Sequence, residues 1–579
     1  MRRLNRILSV VTAAVMLVMT VAVNAQERKL HVVSTGDVHG AWFNKNYING
    51  AGERNSLMSV KYYLDNLRAE AGEENVLLLD AGDCLQGDNA AYYYNYVDTT
   101  SVHLFSRLVS YMGYDAIVAG NHDIETGHRV YDRVDAELAE AGIPLLAANA
   151  VRNDSGEPYF QPYAMFKKAG LNVAVLGFDN ANIKAWLSES LWSGMHFVSL
   201  IPCVQKWVDS VVDRHNPDVV IVVVHSGTGK GDGSVIESQG LDLLHSLRGV
   251  DLVIAAHDHA PYTVKYGKSA LMNGGAKASN VSHAVITADM RKGKVKSKSV
   301  DVKVVRMNKR NIDTAMAAHF EEDYNKVREF TNRKVGSLAM DMFTRDAYKG
   351  MSDYTNLVHT VQLSVPEAQI SFAAPLTFNG RVKAGELVFN DMFTIYPFEN
   401  QLFVVRMKGR EIKKYLEFSY NNWIQTPGEH VLRIKSTPDP RTNSPRWSFV
   451  GRPYNFDSAA GLIYTVDVTK QAGERVNIIS LADGSAFEMD KEYNVAMTSY
   501  RANGGGQLIP LGAGIKDVEA EGRVVARYPE IRDMIYNFVL KVGNLDKENT
   551  GDRKLLGQWS FIPAEIADSM IEADMNLIF

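Results

Sequence analysis

The chain has 579 residues, of which 46% are hydrophobic and 22% are charged, and its formal net charge at pH 7 is −5. This composition is typical of a globular protein, and the length exceeds what one hydrophobic core usually serves, so we expect two or more domains. A net acidic chain is a poor candidate for general binding to nucleic-acid polymers, and its two cysteines, Cys84 and Cys203, exclude a fold held together by a disulfide framework.

The N-terminal segment differs from the rest of the chain. Three arginines at positions 2, 3 and 6 precede an apolar run over 7–23, and Val23-Asn24-Ala25 forms a small-residue cleavage pattern. We predict a signal peptide over 1–25 and an exported protein that is periplasmic, held at the cell surface or secreted; an uncleaved membrane anchor is the alternative. Removing the three arginines takes the formal net charge from −5 to −8, because 1–25 contain no acidic residue. No later stretch is long and apolar enough to cross a membrane.

Short apolar runs alternate with segments of helical spacing between residues 29 and 305, which predicts an α/β domain over 26–311. The runs that we interpret as buried strands are 30–33, 76–79, 116–119, 173–176, 219–224 and 252–255. Nearly every run is followed by a polar loop that contains histidine or aspartate. Loops at the carboxyl ends of strands are where layered α/β folds bind ligands, so these loops can converge although they are distant in sequence.

The character of the sequence changes after residue 311. Asp313 can cap a helix whose apolar residues recur at helical spacing, so we predict a linker helix over 312–336. A second domain over 337–545 mixes helices with alternating strands, and it contains a glycine-rich loop at 503–506. The tail over 546–579 has no functional interpretation from its sequence.

Asp83 ends the sequence Asp80-Ala81-Gly82-Asp83 after an apolar run. A carboxylate in such a loop is either a turn residue or a metal ligand, and on its own the turn is the better interpretation. Other loops favour the metal-ligand interpretation. Asp37 and His39 are two residues apart, as are His257 and His259, and residues at i and i+2 of an extended chain project to the same side. The candidate ligands are Asp37, His39, Asp83, Asn121, His225, His257 and His259.

These seven nitrogen and oxygen donors suit borderline divalent metals such as zinc, manganese or iron. Seven donors are too many for one tetrahedral ion and suit two ions that share a bridging carboxylate. Two such ions form a clamp for in-line displacement at phosphorus. Taken singly, each residue could instead be structural or solvated.

Five blocks of the sequence resemble, in order, the signature blocks of calcineurin-like metallophosphoesterases. The blocks are Gly36-Asp37-Val38-His39, Gly82-Asp83-Cys84-Leu85-Gln86-Gly87, Gly120-Asn121-His122-Asp123, His225-Ser226-Gly227 and His257-Asp258-His259. In detail the chain is similar to the exported 5'-nucleotidase and 2',3'-cyclic-nucleotide 2'-phosphodiesterase family, as far as about residue 545. The resemblance implies a β-sandwich flanked by helices (αββα), joined by a linker helix to a mixed α+β domain that binds the nucleotide.

The resemblance also implies roles for individual residues. One ion would be held by Asp37, His39, Asp83 and His259, and the other by Asp83, Asn121, His225 and His257, with Asp83 as the bridge. The ions would lower the pKa of a bound water so that hydroxide exists at neutral pH. Asn121 would also face the substrate, and His122 would contact the phosphate or assist the leaving group, oriented by a carboxylate. Glu125 stands where the family usually has aspartate, which puts the geometry of this pair in question.

In the second domain, the block from Ser499 to Gly506 resembles the family's base-stacking loop, with Tyr500 at the aromatic position. Either Tyr454 or Phe456 would supply the second ring, and a core position is the alternative for all three. Arg381 is a candidate contact for phosphate or ribose, or else a solvated surface residue.

Two departures bear on the substrate. The glycine loop has Gly506 where many 5'-nucleotidases carry an acidic residue, and 371–375 looks more like the cyclic-phosphodiesterase and 3'-nucleotidase branch. We therefore expect a nucleotide phosphohydrolase and leave 5'-nucleotides and 2',3'-cyclic nucleotides both open. Hydrolysis of nucleotide sugars or of other phosphate or sulfur esters, and a surface binding protein without catalysis, are the alternatives.

Overall fold

The computed structural model describes residues 25–52, 54–439 and 442–579, so the predicted signal peptide lies outside the described residues except for Ala25. The chain divides into two compact units. Unit 1 extends to Val327 without residues 184–188, and unit 2 contains those five residues and the chain from Arg328 to Phe579. None of the described helices is both long enough and apolar enough to span a bilayer.

Unit 1 contains fourteen strands among the described residues. They are β1 (Ala25–Thr35), β2 (Val76–Asp80), β3 (Ala116–Val118), β4 (Leu145–Leu146), β5 (Ala150–Arg152), β6 (Tyr163–Lys168), β7 (Leu171–Phe178), β8 (Met195–Phe197), β9 (Val219–Val224), β10 (Leu252–Ala255), β11 (Tyr262–Tyr266), β12 (Ser269–Asn273), β13 (Asn280–Arg291) and β14 (Lys294–Arg306). The helices up to residue 319 are α1 (Leu57–Ala71), α2 (Asn89–Tyr92), α3 (Leu104–Met112), α4 (Asn121–Glu125), α5 (His128–Glu140), α6 (Leu200–His215), α7 (Gly240–Ser246) and α8 (Thr314–His319).

Most of these strands form two six-stranded sheets, ordered β14-β13-β1-β2-β3-β4 and β11-β12-β10-β9-β7-β6. One core cluster contains residues from both sheets, such as Leu79 from the first and Val223 from the second. Helix α1 packs against β2 and α5 against β4, while α6 and α7 pack on the outer face of the second sheet. The predicted β-sandwich flanked by helices is therefore confirmed.

The sheet topology explains how distant loops can meet. Strand β1 is parallel to β2, and β2 is parallel to β3, so the loops after these three strands leave the first sheet at one edge. In the second sheet β9 and β10 are likewise parallel. Each predicted apolar run lies in one of these strands or within one residue of it.

The segment predicted as one linker helix contains two helices, α8 and then α9 (Glu321–Thr331). Asp313 caps the first, because its side chain accepts a hydrogen bond from the amide of Met316 at 2.5 Å. The chain leaves the helical conformation at Phe320, whose buried ring packs edge-on against Tyr111 with 5.5 Å between the ring centroids. The break therefore follows from a tertiary contact. The predicted domain limits at 311, 336 and 545 stay predictions.

Unit 2 mixes strands and helices. Its strands are β15 (Lys334–Leu338), β16 (Met342–Phe343), β17 (Ile370–Ala373), β18 (Arg381–Val382), β19 (Gly385–Val388), β20 (Gln401–Lys408), β21 (Ile434–Pro438), β22 (Pro445–Phe449), β23 (Ser458–Ala460), β24 (Leu462–Asp467), β25 (Val476–Leu481), β26 (Glu492–Thr498), β27 (Val524–Glu530), β28 (Asn544–Leu545) and β29 (Gly557–Ile562). Its helices after α9 are α10 (Asp353–Gln362), α11 (Phe389–Ile395), α12 (Gly409–Trp423), α13 (Ser499–Ala502), α14 (Ile531–Val542), α15 (Lys547–Thr550), α16 (Arg553–Leu556) and α17 (Ala564–Ile578). The central sheet has the order β23-β17-β26-β20-β27.

The tail without a functional interpretation is part of unit 2. Strand β29 pairs in parallel with β24, so it extends an existing sheet. Asp574 on α17 then accepts hydrogen bonds from the amides of Val431 and Leu432 at 2.9 and 2.8 Å and lies 2.5 Å from the ring of His430. These contacts give the tail a structural role.

A buried histidine in unit 2 leads to a prediction about acid stability. Burial lowers the pKa of His359 from 6.5 to about 3, and its Nδ1 contacts the Ser371 hydroxyl at 2.8 Å. As the pH falls below about 6.5, the unfolded chain binds a proton that the folded chain does not, so stability is lost between about pH 6.5 and 3. Between pH 7 and 5 the loss from this residue is about 2 kcal/mol.

We expect His359→Asn to be less stable than the wild type at pH 7 but to lose about 2 kcal/mol less between pH 7 and 5. Urea unfolding of the full chain at both pH values measures this difference, because the other titrating groups are shared by the two proteins. Equal losses for both proteins would contradict the prediction.

Candidate functional site

The seven predicted ligands lie on loops that converge in unit 1. The ring Nε2 of His225 is 3.0 Å from Oδ2 of Asp83 and 4.0 Å from Oδ1 of Asp37. The Nε2 atoms of His39 and His259 are 3.0 Å apart, and His259 Nε2 is 3.6 Å from Oδ1 of Asp37. The two sheets thus contribute side chains to one cluster.

The remaining two predicted ligands join the same cluster. Nδ1 of His257 lies 2.9 Å from Oδ1 of Asn121, and the His257 amide donates to Oδ2 of Asp37 at 2.8 Å. Asp37, Asp83 and His225 are at most 1% exposed, whereas half of the His259 side chain is exposed. The cluster is therefore a buried floor with an accessible rim.

The backbone of this cluster is strained. Asp37, His39, Asp83, His257 and His259 all have positive φ values, between 47° and 76°. Side-chain-bearing residues in this left-handed region cost roughly 1–2 kcal/mol each. Such strain persists only where the surrounding structure enforces it, and it is concentrated at functional sites.

Two glycines permit the close approach of the loops. A Cβ atom on Gly120 would lie 2.3 Å from Oδ1 of Asp83, and one on Gly82 would lie 2.8 Å from Nδ1 of His225. Gly82 also has φ +97°, which only glycine adopts readily. Glycine at these positions is therefore a steric requirement of the site.

Asp123 organises the loop that carries Asp83. Its carboxylate accepts hydrogen bonds from the amides of Asp83, Cys84 and Leu85 at 2.8–2.9 Å and from the amide of Gly120 at 2.9 Å. One buried side chain therefore ties the loop after β2 to the loop after β3. Asp123 is not among the residues predicted to have a role; its place in the first turn of a short helix after glycine is the signal of a capping residue.

Burial and neighbouring charges shift the pKa values of the cluster in opposite directions. Burial alone would raise the pKa of Asp83, but the neighbouring histidines, led by His225, lower it well below its usual value. Burial, reinforced by the charge of Asp83, raises the pKa of Asp37. Burial lowers the pKa of His257 to about 3 and also lowers that of His39. Burial thus favours the neutral, ligand-competent form of His39 and His257, whereas the charges of Asp83 and Asp37 raise the pKa of His225.

The hydrogen bonds of His225 identify which of its ring nitrogens faces the carboxylates. Nδ1 donates to the carbonyl oxygen of Ala81 at 2.8 Å, which leaves Nε2 towards Asp83. Within the described residues, Asp37 Oδ1 is buried without a hydrogen-bond partner, and His225 Nε2 and Asp83 Oδ2, 3.0 Å apart, have no hydrogen-bond partner besides each other. Buried polar atoms without partners are costly, and a cation beside these three would compensate them.

The donors also fall into two groups that suit divalent ions. Among the described residues, the atoms of Asp37, His39 and His259 lie within 4.8 Å of one another, and so do those of Asp83, His225 and His257. Imidazole and carboxylate donors are typical for zinc, manganese or iron. The chain's own residues therefore fit a divalent-metal centre.

His122 lies beside this centre on α4. Its Nδ1 is 2.5 Å from Oε2 of Glu125, so the glutamate reaches the histidine despite its extra methylene group. Burial would lower the pKa of His122, but the carboxylates of Glu125 and Asp83 outweigh it and raise the pKa to about 10. The ring centroids of His122 and His39 are 5.4 Å apart, and about one quarter of the His122 side chain is exposed. His122 thus lies at the rim of the centre, where its neighbouring carboxylates favour the protonated form.

In unit 2 the candidate aromatic residues have different environments. Phe456 is fully buried and stacks on Trp423 with 5.6 Å between the ring centroids, so it belongs to the core and has no face for a ligand. Tyr454 and Tyr500 are half-buried. Of the two candidates for a second stacking ring, Tyr454 is therefore the one that can take part.

Arg381 lies at the surface of unit 2. Its guanidinium is 2.5 Å from Oδ2 of Asp341, and about half of its side chain is exposed. The pairing matches the surface interpretation of this arginine, and a contact with substrate stays a prediction.

The chain matches two protein families. Residues 30–261 match the family of calcineurin-like phosphoesterases, and residues 331–511 match the family described as 5'-nucleotidase, C-terminal domain. These segments lie within the two units, and together they cover most of the chain.

Two curated relatives are similar over most of this chain. A trifunctional nucleotide phosphoesterase protein of Bacillus subtilis is 22% identical over 95% of the chain, which spans only 40% of that relative's length. A 2',3'-cyclic-nucleotide 2'-phosphodiesterase/3'-nucleotidase of Salmonella typhimurium is 24% identical over 84% of the chain and 82% of the relative.

A solved structure of a Staphylococcus aureus protein assigned as a 5'-nucleotidase has the same fold. Its TM-score is 0.74 at 19% identity, with 92% of this chain and 99% of that chain covered.

Proposed function

The chain belongs to the family of metal-dependent phosphoesterases that join a calcineurin-like domain to a 5'-nucleotidase C-terminal domain, and from this premise we propose an exported phosphohydrolase that uses two divalent ions to release phosphate from nucleotides. The observation that supports the proposal most directly is the pair of donor groups in unit 1, which approach each other where His225 Nε2 lies 4.0 Å from Asp37 Oδ1 and His39 Nε2 lies 3.9 Å from Asp83 Oδ2. A protein that had lost catalysis would have no need to retain this strained and buried arrangement.

Under this proposal one ion is held by Asp37, His39, Asp83 and His259, and the other by Asp83, Asn121, His225 and His257. When bound, the two ions would supply Lewis acidity towards the phosphoryl oxygens and would lower the pKa of water, so that a nucleophile exists at neutral pH. Asp83 is suited to bridge them because its buried Oδ2 lies 3.9 Å from Nε2 of His39 and 3.0 Å from Nε2 of His225, which are assigned to different ions.

In this proposal His122 acts on the substrate and Glu125 orients His122. A protonated His122 donates a hydrogen bond or a proton to an oxygen that becomes negative as the phosphorus–oxygen bond breaks. Glu125 holds the imidazole through Nδ1, so that Nε2 is the nitrogen available to the substrate. Asn121 precedes His122 on α4 and would contact the same phosphate.

Tyr500 and Tyr454 would bind the nucleobase by stacking, which is tolerant of base identity. We expect Tyr500→Leu to raise the KM for AMP roughly 10-fold or more, because base stacking contributes about 1–3 kcal/mol. The KM for 4-nitrophenyl phosphate, which carries no base, should change little. Steady-state kinetics with both substrates measures the difference, and an equal change in both would contradict the prediction.

The proposed reaction is tested by assays of the metal-reconstituted full chain with AMP, 3'-AMP and 2',3'-cyclic AMP. We expect phosphate or a ring-opened product from at least one of them, and the ratios of kcat/KM rank the 5', 3' and cyclic substrates. A metal-loaded protein that hydrolyses none of the three would refute the proposed function.

Export is supported by the N-terminal pattern of arginines, apolar residues and Val23-Asn24-Ala25. Expression of the full chain and N-terminal sequencing of the exported product tests it. The expected first residue is Gln26, and recovery of the uncleaved chain in the membrane fraction would favour the anchor instead.

A further inference from the structure

Arg501 connects two loops of unit 2. It follows Tyr500 on α13, and its guanidinium reaches the loop at 453–457 that carries Tyr454. Arg501 is 4% exposed and its partner Asp457 is 3% exposed. A buried arginine needs a complete set of acceptors, since each unpaired donor in the interior is costly.

All five guanidinium N–H groups have an acceptor. Nε donates to Oδ2 of Asp457 at 3.0 Å, and Nη2 donates to Oδ1 of Asp457 and to the carbonyl oxygen of Tyr454, both at 2.8 Å. Nη1 donates to Oδ1 of Asn455 at 3.1 Å and to the carbonyl oxygen of Gly505 at 2.7 Å. Four of the five bonds end on the loop with Tyr454, and the fifth ends on the glycine loop after Tyr500.

Other contacts hold each loop against this arginine. A Cβ atom on Gly505 would lie 2.5 Å from the ring of Tyr500, so the glycine lets the ring lie against the backbone of its own loop. A Cβ atom on Gly506 would lie 2.4 Å from Oδ1 of Asn455 and 2.5 Å from Nη1 of Arg501. The space beside Gly506 is therefore filled by the groups that join the two loops.

Asp457 is anchored in turn. The hydroxyl of Tyr415 on α12 donates to its carboxylate, and the hydroxyl of Ser419 donates to its carbonyl oxygen at 2.8 Å. The preceding residue, Phe456, is buried on Trp423. The loop with Tyr454 is thus fixed to the core, and Arg501 fixes the loop with Tyr500 to it.

We propose that Arg501 is a positioning residue that sets the separation and angle of the Tyr500 and Tyr454 rings and so determines the affinity for the nucleoside part of the substrate. The proposal rests on the proposed nucleotidase function in assigning the two rings to the base. Lysine cannot replace arginine here, because an ammonium group has three donors and cannot bind a carboxylate in a planar, bidentate way.

The test compares Arg501→Lys with the wild type in two measurements. The first is the ratio of kcat/KM for AMP to that for 4-nitrophenyl phosphate, which we expect to fall roughly 10-fold, as when a stacking contact is lost. The second is amide hydrogen exchange over 453–457 and 499–507, which should become faster in both loops.

Arg475→Lys is the matched control. Arg475 is also 4% exposed and lies in unit 2, but its guanidinium donates to Lys470, Ile424 and Thr426, away from both loops. Its replacement should lower thermal stability and leave the substrate ratio at the wild-type value. If Arg501→Lys fails to fold, the milder Asn455→Ala removes a single acceptor and should change both readouts in the same direction.

Unchanged exchange in both loops, or a substrate ratio that falls equally in Arg475→Lys, would overturn the proposal. A wild-type protein that hydrolyses no nucleotide would refute the proposed function, while the exchange measurement would still decide whether Arg501 joins the loops.

Discussion

Asp83→Asn is expected to lower kcat/KM for every phosphate ester by roughly 1,000-fold or more and to reduce the bound metal below two ions per chain. The asparagine keeps the size of the side chain and its hydrogen bond from the amide of His122, which lies 2.8 Å from Oδ1. It removes the negative charge at Oδ2, the atom next to His225. The ligand that the proposal assigns to both ions thereby loses its charge.

Metal analysis by mass spectrometry and steady-state kinetics measure the two effects together. Asp323→Asn is the matched control, since Asp323 is a buried aspartate of unit 1 whose partners are Arg107 and Tyr94. It should lower stability and leave metal content and activity near wild type. If Asp83→Asn kept both the metal and the activity, the assignment of the metal centre would be wrong.

His122→Ala is expected to lower kcat for AMP by roughly 100- to 10,000-fold, which is the range for general acid–base catalysis, with the metal content unchanged. The effect should be smaller for 4-nitrophenyl phosphate, because its leaving group needs little protonation. Replacing a metal ligand would lower the metal content and would reduce kcat for both substrates alike. The comparison of the two substrates therefore separates a catalytic role from a ligand role.

His128→Ala provides the control for this experiment. His128 is on the next helix, its side chain is 30% exposed against 26% for His122, and it pairs with Asp132 at 3.0 Å. Its replacement should change kcat by less than about 2-fold. Loss of metal in His122→Ala, or equal effects on both substrates, would contradict the proposed role of His122.

The pair of His122 and Glu125 also predicts a pH dependence. The carboxylates of Glu125 and Asp83 raise the pKa of His122 above its usual value, so an activity that needs the His122 proton is expected to persist through neutral pH and to fall at alkaline pH. Glu125→Gln removes the larger of the two raising charges and should move this alkaline limb to lower pH. A pH–rate profile of kcat/KM that is unchanged in Glu125→Gln would contradict this arrangement.

Much of unit 1 could be predicted because its signals are local. Each apolar run that ends in a polar loop, such as 219–224 before His225, combines a strand signal with a residue suited to a ligand, and both can be identified within ten residues. The structure adds that these loops converge and that five of the predicted ligands have left-handed backbone conformations. The alternation of strands indicates which loops share an edge, but not which side chains meet.

Unit 2 was less predictable. Tyr454 and Phe456 are only two residues apart and the sequence does not show which ring faces a ligand, yet one is half-buried and the other is stacked on Trp423 in the core. The break at Phe320 likewise depends on Tyr111, which is far away in the sequence. Such outcomes depend on long-range packing.

The sequence by itself determined an α/β fold for unit 1 and the inventory of seven candidate ligands, because periodicity, glycine-flanked carboxylates and i, i+2 spacing are properties of short segments. The resemblance of its five blocks to calcineurin-like metallophosphoesterases added the αββα class and the expectation of a phosphoesterase. Only the tertiary structure decided that Glu125 reaches His122, that Asp123 ties the Asp83 loop to its neighbour, and that Arg501 joins the two aromatic loops. The contacts of Asp123 and Arg501 depend on the exact placement of elements that lie 40 and 47 residues apart, and nothing within one segment specifies that placement.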